Sequence, residues 1–240
     1  MQRIIPGVYR LRGLTLGNVY LIDEPAGMTL IDASIEQSGA KILKQIASLG
    51  RPLTDLKRIL ITHGHPDHVG ALPEVQRATG AEVYASSIER PVIEGRVPIP
   101  RTPPEKLTGL ARLLAPSETF VPGTPVHREL QDGEVLPEVL GGLTVVATPG
   151  HAPGHVAFWH PDRRLLFCGD VIFHVLGLRL PPTFFSVDMD ENRRSVARLA
   201  QLEPAVVCFG HGQPLTEDAA AKIRRFAESV ALSPAAAAER

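Results

Sequence analysis

Mixed strands and helices in a single domain are what this sequence predicts, on three observations. Short apolar runs bounded by Gly and Pro alternate with stretches whose apolar residues recur at helical spacing. The chain has 240 residues, 44% of them hydrophobic and 21% charged, which suits one buried core and excludes a disordered or fibrous chain. No internal repeat and no domain boundary is visible, so residues 1–240 read as one unit.

The elements follow in order. Asn18 to Asp23 and Met28 to Asp32 flank the turn Glu24-Pro25-Ala26-Gly27 and read as a β-hairpin. Residues 37–49 place Ile42, Leu43, Ile46, Ala47 and Leu49 on one helical stripe, and Gly50 follows as a stop. Lys57 to Ile61 reads as a buried strand, residues 71–79 as a helix and residues 81–85 as the next strand. From Ser86 to Arg128 the pattern weakens as prolines from Pro91 to Pro125 interrupt it, with one helix expected around 105–115. Residues 86–130 are therefore expected to be an insertion that serves as a lid or substrate wall. Strands return at 134–136, 143–147, 155–159 and 164–168; a helix near 189–201, a strand at 205–209 and a helix near 216–231 follow. Residues 233–240 are expected to form a flexible tail.

Lys+Arg 25 against Asp+Glu 26 leaves a net charge of −1, so no global basic field gathers phosphates, and nucleic acid is not an expected partner. No apolar run reaches the length of a bilayer span, and the first residues lack the apolar core of a signal peptide. The expectation is a cytoplasmic protein with no membrane partner, acting on a small-molecule substrate; sheet edges and apolar loops leave room for a homodimer. Cys168 and Cys208 each sit in an apolar run and read as buried free thiols, with a disulfide between them left open. No C-x-x-C spacing supports redox catalysis by them.

The histidines carry the chemistry. Of nine, three fall in Thr62-His63-Gly64-His65-Pro66-Asp67-His68, directly after a predicted buried strand. Imidazole nitrogens suit zinc, iron and manganese, and carboxylates add the negative charge that holds a divalent ion. His63 and His65, two apart on extended chain, can point the same way. If the chain curls into a helix after Pro66, Asp67 and His68 turn toward a neighbouring position, so one loop can feed two metals. Three further predicted strands end the same way: Thr148-Pro149-Gly150 delivers His151, Cys168-Gly169 delivers Asp170 and Phe209-Gly210 delivers His211. Each of these residues follows a glycine, which lets the backbone approach where a larger residue would block. Together they make seven candidate ligands: His63, His65, Asp67, His68, His151, Asp170 and His211.

H-x-H-x-D-H, then Thr-Pro-Gly-His, Gly-Asp and a final Gly-His, in this order, resembles the metallo-β-lactamase superfamily of metallohydrolases. The resemblance covers almost the whole chain. It implies an α+β fold, an αββα four-layer sandwich of two mixed β-sheets packed face to face with helices outside. It also implies two divalent cations, zinc foremost with iron or manganese as alternatives. His63, His65 and His151 would bind one, Asp67, His68 and His211 the other, and Asp170 would bridge. Asp32 resembles the family's first motif and would orient the ligand-bearing loops from behind; His155 would hydrogen-bond near the site.

The activity implied is hydrolysis, in which a hydroxide bridging the metals attacks an ester-type bond (a thioester, lactone or other small ester), with Asp67 accepting a proton or orienting the water. A glutathione thioester is disfavoured at this stage because 29 residues follow His211, and the lactonases' tyrosine after the bridging Asp is missing. Asp170 counts against β-lactam hydrolysis, and the charge balance counts against a phosphodiesterase or ribonuclease. A persulfide dioxygenase with one iron is the alternative of a different class, weakened by the sequence after Asp170. Phe173, His174, Phe184 and Phe185 are expected to form a substrate wall.

Overall fold

The computed structural model describes residues 1–102 and 118–231; the helix expected around 105–115 and the tail at 233–240 lie outside the described residues. Seven strands form the first sheet in sequence order: β1 (Gln2–Ile5), β2 (Val8–Arg10), β3 (Tyr20–Glu24), β4 (Gly27–Ile31), β5 (Leu56–Leu60), β6 (Glu82–Ser86) and β7 (Arg128–Leu130). From β1 to β4 neighbours are antiparallel; from β4 to β7 they are parallel. The parallel crossovers carry helices α1 (Gly39–Ala47), α2 (Pro66–Val69), α3 (Leu72–Thr79) and α4 (Arg90–Ile93). The second sheet is built from β8 (Val135–Leu136), β9 (Leu143–Ala147), β10 (Val156–His160) and β11 (Leu165–Gly169). After a short hairpin, β12 (Phe173–His174) and β13 (Leu178–Arg179), helix α5 (Met189–Ala200) leads to β14 (Val206–Phe209), which pairs parallel with β11; α6 (Ala219–Val230) follows.

The two-residue period of the strands makes the layers. Tyr20, Ile22, Ile31 and Leu60 of the first sheet meet Leu143, Val145, Phe158 and Phe167 of the second in one core between the sheets. The alternate residues Leu21, Leu30, Ile59 and Ile61 pack outward on Ile42 and Ile46 of α1 and Leu72 and Val75 of α3. On the other side Ala157, Leu166 and Val207 pack on Val196 and Leu199 of α5 and Ile223 of α6. Four layers result, helix, sheet, sheet and helix. The same alternation sends Cys168 to the outer core and Cys208 to the inner one, and both are free thiols.

Most expected elements are present with boundaries displaced by a few residues. Three differ. The hairpin of β1 and β2, turning at Pro6-Gly7, stands where no element was expected. The segment 86–130, expected as an insertion throughout, opens with α4 and closes with β7, which extends the sheet beside β6. Arg128-Glu129-Leu130 is too short and polar to announce an edge strand. The hairpin of β12 and β13 is likewise too short to leave a period.

Phe158 is fully buried where the two sheets face each other. Phe158→Ala is expected to lower unfolding free energy by about 3–5 kcal/mol in a denaturant titration, the cost of a large cavity in a close-packed interior.

Candidate metal centre

The strands deliver their polar cargo to one edge of the sandwich. β5 leads to His63, β9 to His151, β11 to Asp170 and β14 to His211, while His155 precedes β10. The sheets are stitched there by backbone bonds from Val156 N–H to Thr62 O (3.0 Å) and from Asn18 N–H to Gly210 O (2.7 Å). After His65 the chain turns into α2 with Pro66 at its first position, which swings Asp67 and His68 away from His63 and His65. Gly169 and Gly210 permit close approach: Gly169 has φ +52° and a Cβ there would lie 2.5 Å from His155 Nε2, while one at Gly210 would lie 1.9 Å from Asp170 Oδ1.

Three sets of ligand-type atoms each lie within 4.8 Å of one another: His63, His65 and His151; His63, His68 and Asp170; and Asp67, His68 and His211. His151 Nε2 is 3.0 Å from His65 Nδ1. Asp170 stands between the outer sets, its Oδ2 being 3.4 Å from His151 Nε2, 3.2 Å from His211 Nε2 and 4.0 Å from His63 Nε2, and its Oδ1 3.3 Å from His68 Nε2. Asp67 Oδ2 reaches His211 Nε2 at 3.1 Å.

The groups behind fix which nitrogen faces inward. Asp32, at φ +59°, accepts hydrogen bonds from Thr62 N–H (2.9 Å) and from the Thr62 hydroxyl. With its proton committed to Asp32, Thr62 Oγ1 accepts from His63 Nδ1–H at 3.0 Å, which leaves His63 Nε2 a bare lone pair. Asp32 Oδ2 also takes His68 Nδ1–H at 2.8 Å. Ser186 donates to Pro182 O and so accepts from His151 Nδ1–H at 3.0 Å, aiming His151 Nε2 inward. His155 differs: its Nε2 accepts Asp170 N–H (3.0 Å) and its Nδ1–H donates to Thr148, so both nitrogens are spent on holding Asp170.

His63 Nε2, His68 Nε2 and Asp170 Oδ1 are buried and have no hydrogen-bond partner. Unpaired polar atoms are costly in a protein interior, and these three converge. Imidazole nitrogens and carboxylate oxygens are the donor set of zinc, iron and manganese, so a divalent cation fits the cluster.

Charge tells the same story. Burial pushes the pKa of His63 and His151 well below the usual range, His65 to about 4 and His155 to about 3, so these rings are neutral. Burial also opposes protonation of His68 and His211, but the carboxylates beside them outweigh it, Asp170 with Asp32 holding His68 well above its ordinary value and Asp170 with Asp67 holding His211 at about 9. Burial raises Asp67 and Asp170, yet the hydrogen bond from His211 brings Asp67 to about 2, and the His68 and His211 charges hold Asp170 well below the carboxylate range. A cation entering the cluster must expel the protons on His68 and His211.

A cavity of about 440 Å³ opens onto the cluster, with His65, Asp67, His151, Asp170 and His211 at its floor. Phe173 and Phe185 are on its wall, as the sequence predicts; His174 and Phe184 are not among its lining residues. His174 follows Phe173 on extended chain and so faces away, its Nδ1 bonded to Gln213 O at 2.7 Å. Phe184 precedes Phe185 in a 3-10 turn, which splays the two side chains, and packs on the Phe185 ring at 4.2 Å. Ile99 and Arg101, from the segment expected as a lid or substrate wall, complete the wall with Pro182 and with Leu16, Ile35 and Pro66, which no sequence signal singled out.

Sequence reading also missed the residues that hold the loops. Glu89, 2% exposed, accepts Gly64 N–H and Gly154 N–H at 2.8 Å each, tying the His63–His65 loop to the His151–His155 loop. Asn192 donates to Val171 O and Ser195 to Pro149 O, so the buried face of α5 grips the chain beside Asp170 and His151. His127 and His160, which no motif linked to the site, bond backbone elsewhere, at Val83 and Leu140.

A family profile described as "Metallo-beta-lactamase superfamily" matches residues 12–211. A probable metallo-hydrolase, YflN of Bacillus subtilis, is 33% identical over 226 residues, covering 86% of this chain and 85% of that protein. A hydroxyacylglutathione hydrolase of Fuscovulum blasticum is 31% identical over 193 residues, covering 80% of this chain and 60% of that protein. Among solved structures, the metallo-beta-lactamase family protein TTHA1429 from Thermus thermophilus superposes with a TM-score of 0.72 at 27% identity, covering 95% of this chain and 80% of that one.

Asp32→Asn keeps the side chain's size and removes the charge that anchors Thr62 and His68. It is expected to weaken zinc affinity about 10–100-fold in a chelator competition, with the circular dichroism spectrum unchanged.

Proposed function

Because the chain belongs to the metallo-beta-lactamase superfamily, we propose that this hydrolase acts with two divalent cations, zinc foremost, on an ester-type bond of a small molecule, a thioester before a lactone. The observation that carries the proposal is the pair of ligand sets, His63, His65 and His151 on one side and Asp67, His68 and His211 on the other, with Asp170 between them. A site for a single iron held by two histidines and one aspartate would leave four of these seven groups without a role. The thioester preference rests on the hydroxyacylglutathione hydrolase among the relatives and on the chemistry of the cavity.

Cations bound there would supply Lewis acidity to the carbonyl and make a water nucleophilic near neutral pH. This chain's residues do the rest. Asp67 is the carboxylate at the cavity floor with its side chain 26% exposed, and it is ionised at neutral pH, so its oxygen can accept the proton of the attacking water. Ser186, Thr62 and Asp32 hold the imidazoles behind it at fixed tautomer, which keeps the site preorganised. Phe173, Phe185, Leu16, Ile35 and Ile99 exclude water and offer apolar surface to an acyl group.

The zinc-loaded protein is expected to hydrolyse short-chain acyl thioesters, to lose that activity on chelation and to regain it on metal return; inertness toward thioesters and lactones alike at full loading would overturn the reading. Phe185→Ala is expected to raise KM about fivefold, the loss of an aromatic contact from an exposed ring on the cavity wall, with metal content unchanged.

A further inference from the structure

Arg101 is the basic side chain that stands apart from the cluster on the cavity wall, among Leu16, Ile35, Ile99 and Phe185. Arg51 is matched to Asp23 at 2.6 Å, Arg128 to Glu138 at 2.8 Å and Arg198 to Asp132 at 2.9 Å, while Arg10 and Arg58, away from the cavity, spend their guanidinium protons on backbone carbonyls and neutral side chains. Arg101 forms no ion pair among the described residues, and its hydrogen bond is to a neutral partner, Thr119 Oγ1, at 3.2 Å. Burial lowers its pKa from the ordinary value, so the guanidinium stays charged while partly stripped of water. Asp67 and Asp170 form no ion pair with it; the Oδ2 atoms of both face His211 Nε2, at 3.1 Å and 3.2 Å.

A cation partly stripped of water beside an apolar cavity has no ion-pair partner among the described residues, and the planar guanidinium fork matches a carboxylate with two parallel hydrogen bonds. We infer that Arg101 is a specificity-determining residue that binds a carboxylate on the substrate, at the far end of an apolar stretch from the bond cleaved at the cluster. The inference rests on the reading of this cavity as the substrate site. It names the substrate class more narrowly: a small ester or thioester bearing a free carboxylate.

The test compares 4-phenylbutyrate with its neutral amide as ligands of the zinc-loaded protein, by calorimetry, in wild type, Arg101→Gln and Arg101→Lys. The carboxylate is expected to bind about tenfold or more weakly to Arg101→Gln, with Arg101→Lys between, while the amide binds all three alike. Equal affinity of wild type and Arg101→Gln for the carboxylate would overturn the inference, because the carboxylate would then be seated on the metals. Equal weakening for acid and amide would overturn it too, marking Arg101 as a support of the wall. Binding is read without turnover, so a protein that fails to cleave thioesters but shows this Arg101 dependence contradicts the hydrolytic reading alone.

Discussion

Buried polar atoms of metal-ligating type converging on one point are the constraint on which the rest of the structure depends. His63 Nε2, His68 Nε2 and Asp170 Oδ1 lie within a few ångströms of one another with no hydrogen-bond partner. Such an arrangement is stable only if positive charge sits among the groups and the surrounding chain keeps them from turning away. Protons on His68 and His211 or a divalent cation can meet the first need. The second accounts for much of what lies behind the cluster.

Loops from both sheets must be held at one edge, and each is tied to a neighbour that carries a different candidate ligand. Asp32 binds Thr62 and His68, so the end of β4 sets the tautomer of one histidine and, through Thr62, of another. Glu89 spans the two sheets through Gly64 and Gly154. Its burial raises its pKa, and the two backbone donors offset part of that cost. From the second sheet's side, α5 offers Asn192 and Ser195 where an amphipathic helix would ordinarily offer apolar residues. The sandwich core is thus mostly apolar bulk, while its edge is a polar network whose members act on each other over short distances.

The candidate ligands were legible because their chemistry is written locally. His63, His65, Asp67 and His68 share one short segment, and His151, Asp170 and His211 each follow a glycine at a strand end. The core was legible for the same reason, since buried five-residue runs such as Leu165 to Gly169 carry their own signature. Short edge elements such as β7 and the hairpin of β12 and β13 were not, because two or three residues hold no period. Residues that act only through tertiary contact were equally silent: Glu89 sits in a Pro-broken stretch, and Ser186 and Asn192 look like ordinary surface polar residues until the fold places them. For the cavity wall, residue type alone named four candidates, and backbone direction retained Phe173 and Phe185 while turning His174 and Phe184 elsewhere.

Metal stoichiometry tests the claim beneath all of this, measured by elemental mass spectrometry on protein purified without chelators or a metal-affinity tag. Two equivalents of zinc, or of manganese or iron, per chain are the expected result, one for each ligand set around Asp170. A single equivalent of iron that further metal does not raise would contradict it, and would mean that the remaining candidate donors serve the fold instead of a second cation.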